Sequence, residues 1–530
     1  MRRRSCGAIP ACDASGAAAA AEAPFSLAAS PRLSALWPRG HARVFAAPRA
    51  SRSAPPTPQT AKRAADAAVA LLATALERRN QGCIAVDGSR ALLAFAGAAA
   101  ADPAAICNLL ATCAGMSQIV YVEHVRIHWK AADDETVSRI SKQFPRLKRF
   151  CVAGCGDFDE WTKMSDHGLA ALVENCPNLQ AIKLLHCGNV QTLPAALGLC
   201  ADLAAIDLTH CFSLIQIPKQ LRNCAKLHTI SFWGCSALKR LPVWLGELKE
   251  LRSLDLSCCT SLAEAPAFAP LGDCFALTSL NLSHCKGVDS NALARMHRCN
   301  RLRELNLTHC AGVCELPDWL RDCNGLETLS LKLCTGLDAS ALRRGLCGCD
   351  ALTDLDASYC ALSSEMLQKL PKTLQKLDVS RAKGSAQLPE RLGALQSLTY
   401  LCAMGVAHID SLPSSLGKCA ALTRIDLSRC RGLGCVALQR LGDIKALQWL
   451  DVSQNPFLAT LPAALGNCAE LRRLDASQCD ALVDLPEELG NIATLAYVDV
   501  RGCGGLTSAP AGAKNGLLRQ LEARGCHVYR

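Results

Sequence analysis

The stretch LRELNLTHC, at residues 302–310, is one copy of a phrase that runs through most of this chain. Residues 277–285 read LTSLNLSHC, and both copies have leucine at the first, fourth and sixth positions and cysteine at the ninth. Such a period indicates stacked structural units, because each unit buries its leucines only against its neighbours. The sixteen copies begin at residues 147, 179, 203, 227, 251, 277, 302, 326, 352, 374, 398, 422, 447, 471, 495 and 518.

The spacing predicts one short strand in each unit, followed by a turn and a short helical segment. Some connections contain a proline turn, as in LPAALGLC (193–200) and LPEELGNI (485–492), whereas DSNALARMHRC (289–299) has the spacing of an amphipathic helix capped by Ser or Asp. A degenerate earlier copy is predicted at Met116, Ile119 and Tyr121.

These phrases resemble leucine-rich repeats. The resemblance covers about residues 147–530 and implies an α/β solenoid, a horseshoe with a parallel β-sheet on its concave face. SDHGLAALVENCPNLQAIKLLHC (165–187) resembles the repeats of F-box substrate receptors. LRSLDLSCCTSLAEAP (251–266) and the LPxxLG segments are similar to plant disease-resistance receptors and to leucine-rich effectors that pathogenic bacteria inject by type III secretion.

Cysteine fills two columns of this pattern, which together hold 22 of the 33 cysteines. Asn455 stands once at the ninth position, and Leu or Ile replaces Cys in the column three residues before the phrase, so both columns are predicted to be buried. Free thiols in this number indicate a reducing compartment. The ninth-position cysteines are Cys155, Cys187, Cys211, Cys235, Cys259, Cys285, Cys310, Cys334, Cys360, Cys430, Cys479, Cys503 and Cys526; the second column contains Cys176, Cys200, Cys224, Cys274, Cys299, Cys323, Cys349, Cys419 and Cys468.

The sequence divides into three parts. Residues 1–60 contain eight Arg against Asp13 and Glu22, which accounts for +6 of the formal charge of +10, and their Ala/Ser/Pro-rich composition predicts a disordered leader. That leader suits an export signal or an organelle transit peptide. Residues 61–130 are alanine-rich and are predicted to form a small helical N-terminal cap, or alternatively an F-box-like adaptor module. Residues 131–530 are predicted to be the repeat domain.

The candidate binding residues lie at the variable positions of the phrase, which are expected to face away from the leucine core. Position five is commonly Asp, and its last five acids, ending at Glu522, are predicted to form a ladder offset by Arg424, Arg429, Arg473, Arg501 and Arg524. Aromatic residues on the same face are candidate anchors, although single aromatics can instead pack on their neighbours. The candidate partner-binding residues are Asp356, Asp378, Asp426, Asp451, Asp475, Asp499, Trp233, Tyr359, Tyr400, Trp449, Tyr497, Arg424 and Arg473.

The sequence contains no nucleotide-binding, metalloprotease or serine-hydrolase motif, so we expect no enzyme activity, no cofactor and no metal. His186, His210, His284 and His309 occupy position eight in two neighbouring pairs, and we interpret them as solvated side chains rather than metal ligands. Because the body of the chain carries only about +4, nucleic acid is not the expected partner. No apolar run is long enough to span a membrane, and we expect a monomer.

These features favour a protein–protein interaction scaffold. The leading hypothesis is a virulence effector secreted by a type III apparatus into the host cytoplasm, where its concave face binds host proteins. The alternatives are a substrate receptor of a ubiquitin ligase, which would bind an adaptor through residues 61–130, and a cytoplasmic or organelle-targeted eukaryotic protein. The leader, the repeats and the thiol-rich core are the observations behind these hypotheses.

Overall fold

The computed structural model describes residues 124–128, 132–153, 162–361, 367–383, 388–406, 409, 411–507 and 514–530. Within these residues seventeen short strands form one open sheet, and each strand is hydrogen-bonded in parallel to its neighbours in the chain. The predicted α/β solenoid is therefore confirmed. The strands are β1 (His124–His128), β2 (Arg149–Ala153), β3 (Ala181–Leu184), β4 (Ala205–Asp207), β5 (Thr229–Ser231), β6 (Ser253–Asp255), β7 (Ser279–Asn281), β8 (Glu304–Asn306), β9 (Thr328–Ser330), β10 (Asp354–Asp356), β11 (Lys376–Asp378), β12 (Tyr400–Cys402), β13 (Arg424–Asp426), β14 (Trp449–Asp451), β15 (Arg473–Asp475), β16 (Tyr497–Asp499) and β17 (His527–Tyr529).

The leucines of the phrase build one continuous core beneath the sheet. In the coil of β8, Leu302, Leu305 and Leu307 are at most 2% exposed, and the same positions are buried in the neighbouring coils. Positions three and five flank the buried fourth position, so they project from the opposite side of the strand. We call that side the sheet face.

The connections return the chain through a second layer of short helices. In the proline connections Pro194 has φ −68° and precedes a 3₁₀-helix, and equivalent prolines precede several others. Three connections of the other type have α-helices that begin at side-chain caps, as predicted, with Ser165, Asp289 and Asp338 as the capping residues. Asp289 accepts a hydrogen bond from the Ala292 amide at 2.7 Å. The α-helices are α1 (Asp134–Gln143), α2 (Asp166–Asn175), α3 (Ser290–Ala294), α4 (Ala339–Gly345), α5 (Cys435–Leu438), α6 (Gly504–Thr507) and α7 (Lys514–Ala523). The 3₁₀-helices are Ala195–Leu199, Lys219–Asn223, Val243–Glu247, Ala265–Asp273, Asp318–Asp322, Glu390–Ala394, Ser414–Lys418, Gln439–Asp443, Ala463–Asn467 and Glu487–Asn491.

The ninth-position side chains link successive coils. The Cys285 thiol donates to the Leu256 carbonyl oxygen of the preceding coil at 3.0 Å, and the Cys310 thiol donates to Leu282 at 3.2 Å. Asn455 makes the equivalent bond from Nδ2 to Leu427 at 2.9 Å. The Cys thiol and the Asn amide therefore have the same role. Each donates a hydrogen bond to a buried carbonyl oxygen of the preceding coil at the point where its own coil turns. The described cysteines of both columns are buried, as predicted.

Two predictions at the ends of the repeat array are corrected. The first described strand is β1, in which Val125 and Ile127 are buried, so the sheet includes residues 124–128 of the segment 61–130 assigned to the cap. The copy predicted at Met116 lies outside the described residues. The phrase beginning at residue 518 is not a strand: Glu522 lies in α7, and Arg524 follows that helix and donates to the Gly490 carbonyl.

The physical reason for the second correction is local. The leucines around residue 518 also fit a helical spacing, and α7 covers the last coil while the chain re-enters the sheet only at β17. Leu518 and Leu521 are buried within the core. The leader of residues 1–60 and most of the predicted helical cap lie outside the described residues. Within the described ranges, every helix is too short or too polar to cross a lipid bilayer.

Candidate functional site

Five position-three side chains form a row across the C-terminal part of the sheet face. Parallel pairing of β12 to β16 sets Tyr400, Arg424, Trp449, Arg473 and Tyr497 opposite one another in register. We call this row the aromatic–arginine strip. Strand spacing separates its neighbouring members by about 4.8 Å.

The strip is held together by cation–π contacts. The Arg424 guanidinium carbon lies over the rings of Tyr400 and Trp449, at 5.6 and 4.9 Å from the ring centroids. The Arg473 guanidinium carbon lies 4.2 Å from the centroid of Tyr497. Each such contact contributes about 0.5–1 kcal/mol where it is exposed. Because the contacts already restrict the rotamers of these side chains, less side-chain entropy is lost when a partner binds. The strip is therefore partly pre-organised.

A row of carboxyl groups lies beside the strip at position five. Asp426, Asp451, Asp475 and Asp499 are in register on β13 to β16. Their Oδ1 atoms accept hydrogen bonds from the backbone N–H two residues later, at 2.9 to 3.1 Å. The acid at position five therefore caps the end of its own strand, and Asn281 does the same in an earlier coil.

Burial beside like charges changes the protonation of this row. Burial, with a smaller contribution from Asp426, raises the pKa of Asp451 to about 7, and burial also raises the pKa of Asp426. Burial acts to raise the pKa of Asp499 as well, but hydrogen bonds from Arg501 outweigh it and lower that pKa below its ordinary value. The row is thus only partly charged near neutral pH.

The other candidate residues lie outside this cluster or are buried. Asp356 and Asp378 are in register on β10 and β11, are at most 8% exposed, and are separated from the carboxyl row by Cys402. Tyr359 lies at position eight under the Arg381 guanidinium, 5.5 Å from its ring centroid. Trp233 follows β5, seven strands from β12, and contacts His210 instead. Glu522 and Arg524 do not belong to the sheet face.

Comparison with known proteins agrees with this geometry. The sequence profile described as Leucine Rich Repeat matches residues 446–468, the coil that carries Trp449. This chain is a leucine-rich repeat protein. No curated protein sequence matches it.

Two solved structures share the fold at low sequence identity. A leucine-rich repeat protein of Leptospira interrogans is 18% identical with a TM-score of 0.54, and the match covers 79% of this chain and 98% of that one. The TLR13 chain of a TLR13–ssRNA13 complex is 18% identical with a TM-score of 0.51, and the match covers 75% of this chain and 59% of the TLR13 chain. At these identities the likeness shows the fold alone.

Sequence reasoning missed the backbone conformation of position eight in this leucine-rich repeat protein. Residues there have positive φ, such as His309 at 63° and Arg429 at 62°, and glycine takes the position at Gly405. Left-handed backbone costs about 1–2 kcal/mol for a residue with a Cβ. The sequence did contain a signal for this conformation. Positive φ is especially unfavourable for β-branched residues, and no Val, Ile or Thr occurs at position eight in the described coils that adopt it.

The position-eight histidines stack in pairs rather than converge on a point. The rings of His284 and His309 are 4.9 Å apart at an interplanar angle of 22°, and His186 stacks on His210 at 4.8 Å. Burial lowers the pKa of His284 below its ordinary value, which favours the neutral ring at pH 7. Among the described residues, no group of three or more His, Cys, Asp or Glu side chains is placed to hold a metal ion.

Proposed function

We propose that this protein is a scaffold without catalytic activity of its own, which binds another protein through the aromatic–arginine strip. The observation that carries the proposal is the strip itself: Trp, Tyr and Arg are the residue types that dominate binding energy at protein interfaces, and here five of them stand in one ordered row. A rigid backbone beneath them supports the proposal, because parallel pairing fixes their spacing before a partner arrives.

The strip differs from the rest of the sheet face. In β5 to β7 position three is Thr229, Ser253 and Ser279, all buried small hydroxyl residues with little surface to offer. Large side chains also occur at this position elsewhere, as at Glu304 and Lys376, but the unbroken run of Tyr, Trp and Arg is in β12 to β16. Within that run Tyr400 is buried at 7% exposed, and the other four members are at least partly exposed. Contact with a partner is therefore proposed for the C-terminal part of the sheet face.

Trp449→Ala is expected to weaken partner binding about tenfold or more, which is typical of the loss of a central aromatic anchor. The measurement is affinity capture from cytosolic extract with full-length bait, quantified by mass spectrometry. Phe457→Ala is the matched control, because Phe457 is an aromatic of the same coil that is 70% exposed but lies off the strip. Identical protein profiles on the Trp449→Ala and unmodified baits would contradict the proposal.

We further propose that the protein works in a reducing compartment, the host cytoplasm, after type III secretion. Twenty-three of the twenty-seven described cysteines are buried and none is in a disulfide. Such a core would be exposed to mispairing if it folded under oxidising conditions. The Arg-rich, acid-poor residues 1–60 support an export signal.

The delivery proposal makes a separate prediction. A reporter enzyme fused to residues 1–60 is expected to enter host cells from bacteria with a functional type III apparatus and to stay in bacteria whose apparatus is inactivated. The same reporter fused to residues 61–120 is the control. Entry that does not depend on the apparatus would exclude this route. The ubiquitin-ligase alternative rests on residues 61–130, of which the structure describes only β1, a strand of the sheet.

A further inference from the structure

We propose that the segment bound by the aromatic–arginine strip is an acidic peptide in an extended polyproline-II conformation, with two carboxylates three residues apart that pair with Arg424 and Arg473. This inference rests on the proposed function and specifies the chemistry of the partner. Its support comes from the orientation of the rings, the unused donors of two arginines and their spacing.

Each ring of the strip has a guanidinium over one of its faces. The guanidinium of Arg424 lies over Tyr400 and Trp449, and that of Arg473 lies over Tyr497. Nucleobases bind aromatic side chains through their faces, so these contacts leave fewer faces for a stacking partner. Arg424 is exposed, and Trp449, Arg473 and Tyr497 are partly exposed. The guanidinium N–H groups carry positive charge and complement carboxylates.

Two arginines of the strip have donor capacity to spare. Arg424 is exposed, and among the described residues no carboxylate lies within ion-pair distance of its guanidinium. Arg473 has a long ion pair with Asp475, in which Nη2 lies 3.8 Å from Oδ2, and its side chain is 41% exposed. Arg501 contrasts with both, because it donates to both carboxylate oxygens of Asp499 at 2.6 to 3.1 Å.

The carboxyl row pairs only weakly with the strip. Burial raises the pKa of Asp426, so the carboxyl that shares β13 with Arg424 is less charged than an exposed one. Asp475 reaches Arg473 only at 3.8 Å. Arg424 therefore remains available to a negatively charged group.

The spacing selects the conformation of the peptide. Arg424 and Arg473 are on β13 and β15, two strand spacings apart, which is about 9.6 Å. A polyproline-II helix advances about 3.1 Å per residue and repeats every third residue, so acids at i and i+3 are about 9.3 Å apart on one side. A β-strand would place residues three apart on opposite sides. Trp449 lies between the two arginines and would contact the intervening residues.

The test is selection of random dodecamer peptides displayed on phage against the full-length protein, followed by affinity measurement on synthetic peptides. Selected peptides are expected to carry two acidic residues three positions apart. Arg424→Ala is expected to weaken their binding about tenfold or more, and Arg424→Lys to restore part of it. Arg440→Ala is the matched control, because Arg440 is an exposed arginine in the helical layer of the coil that β13 begins. Thermal melts establish that all variants fold.

The outcomes separate this inference from the proposed function. Peptides whose binding is lost in Trp449→Ala but unchanged in Arg424→Ala would overturn the acidic partner and leave the proposed function standing. Selection of basic peptides would also overturn the acidic-peptide inference. So would a fluorescent twelve-nucleotide poly(U) RNA that binds more tightly than the selected peptides and loses that binding in Arg424→Ala. Selected peptides whose affinity changes in neither Trp449→Ala nor Arg424→Ala would overturn the inference and the proposed function together.

Discussion

Gly442→Ala is expected to destabilise the protein by roughly 3 kcal/mol, the upper part of the range for overpacking in a close-packed core. A Cβ on Gly442 would lie 2.3 Å from the Ala464 carbonyl oxygen and 2.8 Å from its carbonyl carbon. These are backbone atoms of the next coil, so no rotamer change relieves the clash. The two 3₁₀-helices would have to separate, and each coil is stabilised only by its neighbours.

Urea denaturation followed by circular dichroism measures this effect. Gly434→Ala is the matched control, since Gly434 belongs to the same coil, has φ −114°, and a Cβ there would meet nothing within 4 Å. The control is expected to change the free energy of unfolding by no more than about 0.5 kcal/mol. If Gly442→Ala unfolds at the same urea concentration as Gly434→Ala, the close approach of the coils does not limit stability.

Asp451→Asn is expected to stabilise the protein at pH 8 by on the order of 2 kcal/mol and to have little effect at pH 4. Burial raises the pKa of Asp451 from 3.8 to about 7, so between these values the folded state holds a proton that the unfolded state has released. Stability contributed by this group is therefore present at low pH and lost as pH rises towards 7. The amide removes that loss, and its oxygen can still accept the Ser453 N–H, as Asn281 does from Ser283.

The measurement is the free energy of unfolding in urea at pH 4, 6 and 8 for both proteins. Asp480→Asn is the control, because Asp480 is an exposed acid in the turn after β15. This control removes one exposed carboxylate that lies outside the carboxyl row. A difference for Asp451→Asn that stays constant with pH would show that folding does not raise the pKa of Asp451.

Several features followed from the sequence because their cause is periodic. Leu302, Leu305 and Leu307 recur with the coil, so the strand, the parallel register and the core could be predicted from spacing alone. The ninth position was predicted to be buried, and Asn455, which stands there in place of Cys, is buried and donates a hydrogen bond to the Leu427 carbonyl oxygen. The prediction failed at residue 518, where apolar spacing fits a helix as well as a strand.

The candidate site was only partly predictable. The sequence placed Arg424, Trp449 and Tyr497 on one face, because a fixed period gives a fixed register. It did not indicate that the guanidinium groups lie over the rings, since that depends on side-chain rotamers chosen against neighbours from other coils. The position-five acids were predicted to form a charged ladder. In the structure they accept hydrogen bonds from the backbone N–H groups at position seven and so cap the ends of their own strands. Burial also raises the pKa of Asp451, so the row carries less charge than predicted.

The sequence by itself therefore determined the coil, its register and its buried columns, because those depend on contacts that repeat identically along the chain. Only the tertiary structure decided which surface groups remain available to bind a partner, because that depends on distances between side chains of different coils. Arg424 and Arg501 illustrate the difference. Both are arginines on the sheet face, yet Arg501 donates to the carboxylate of Asp499, while Arg424 lies over two rings, is exposed, and has no carboxylate within ion-pair distance among the described residues.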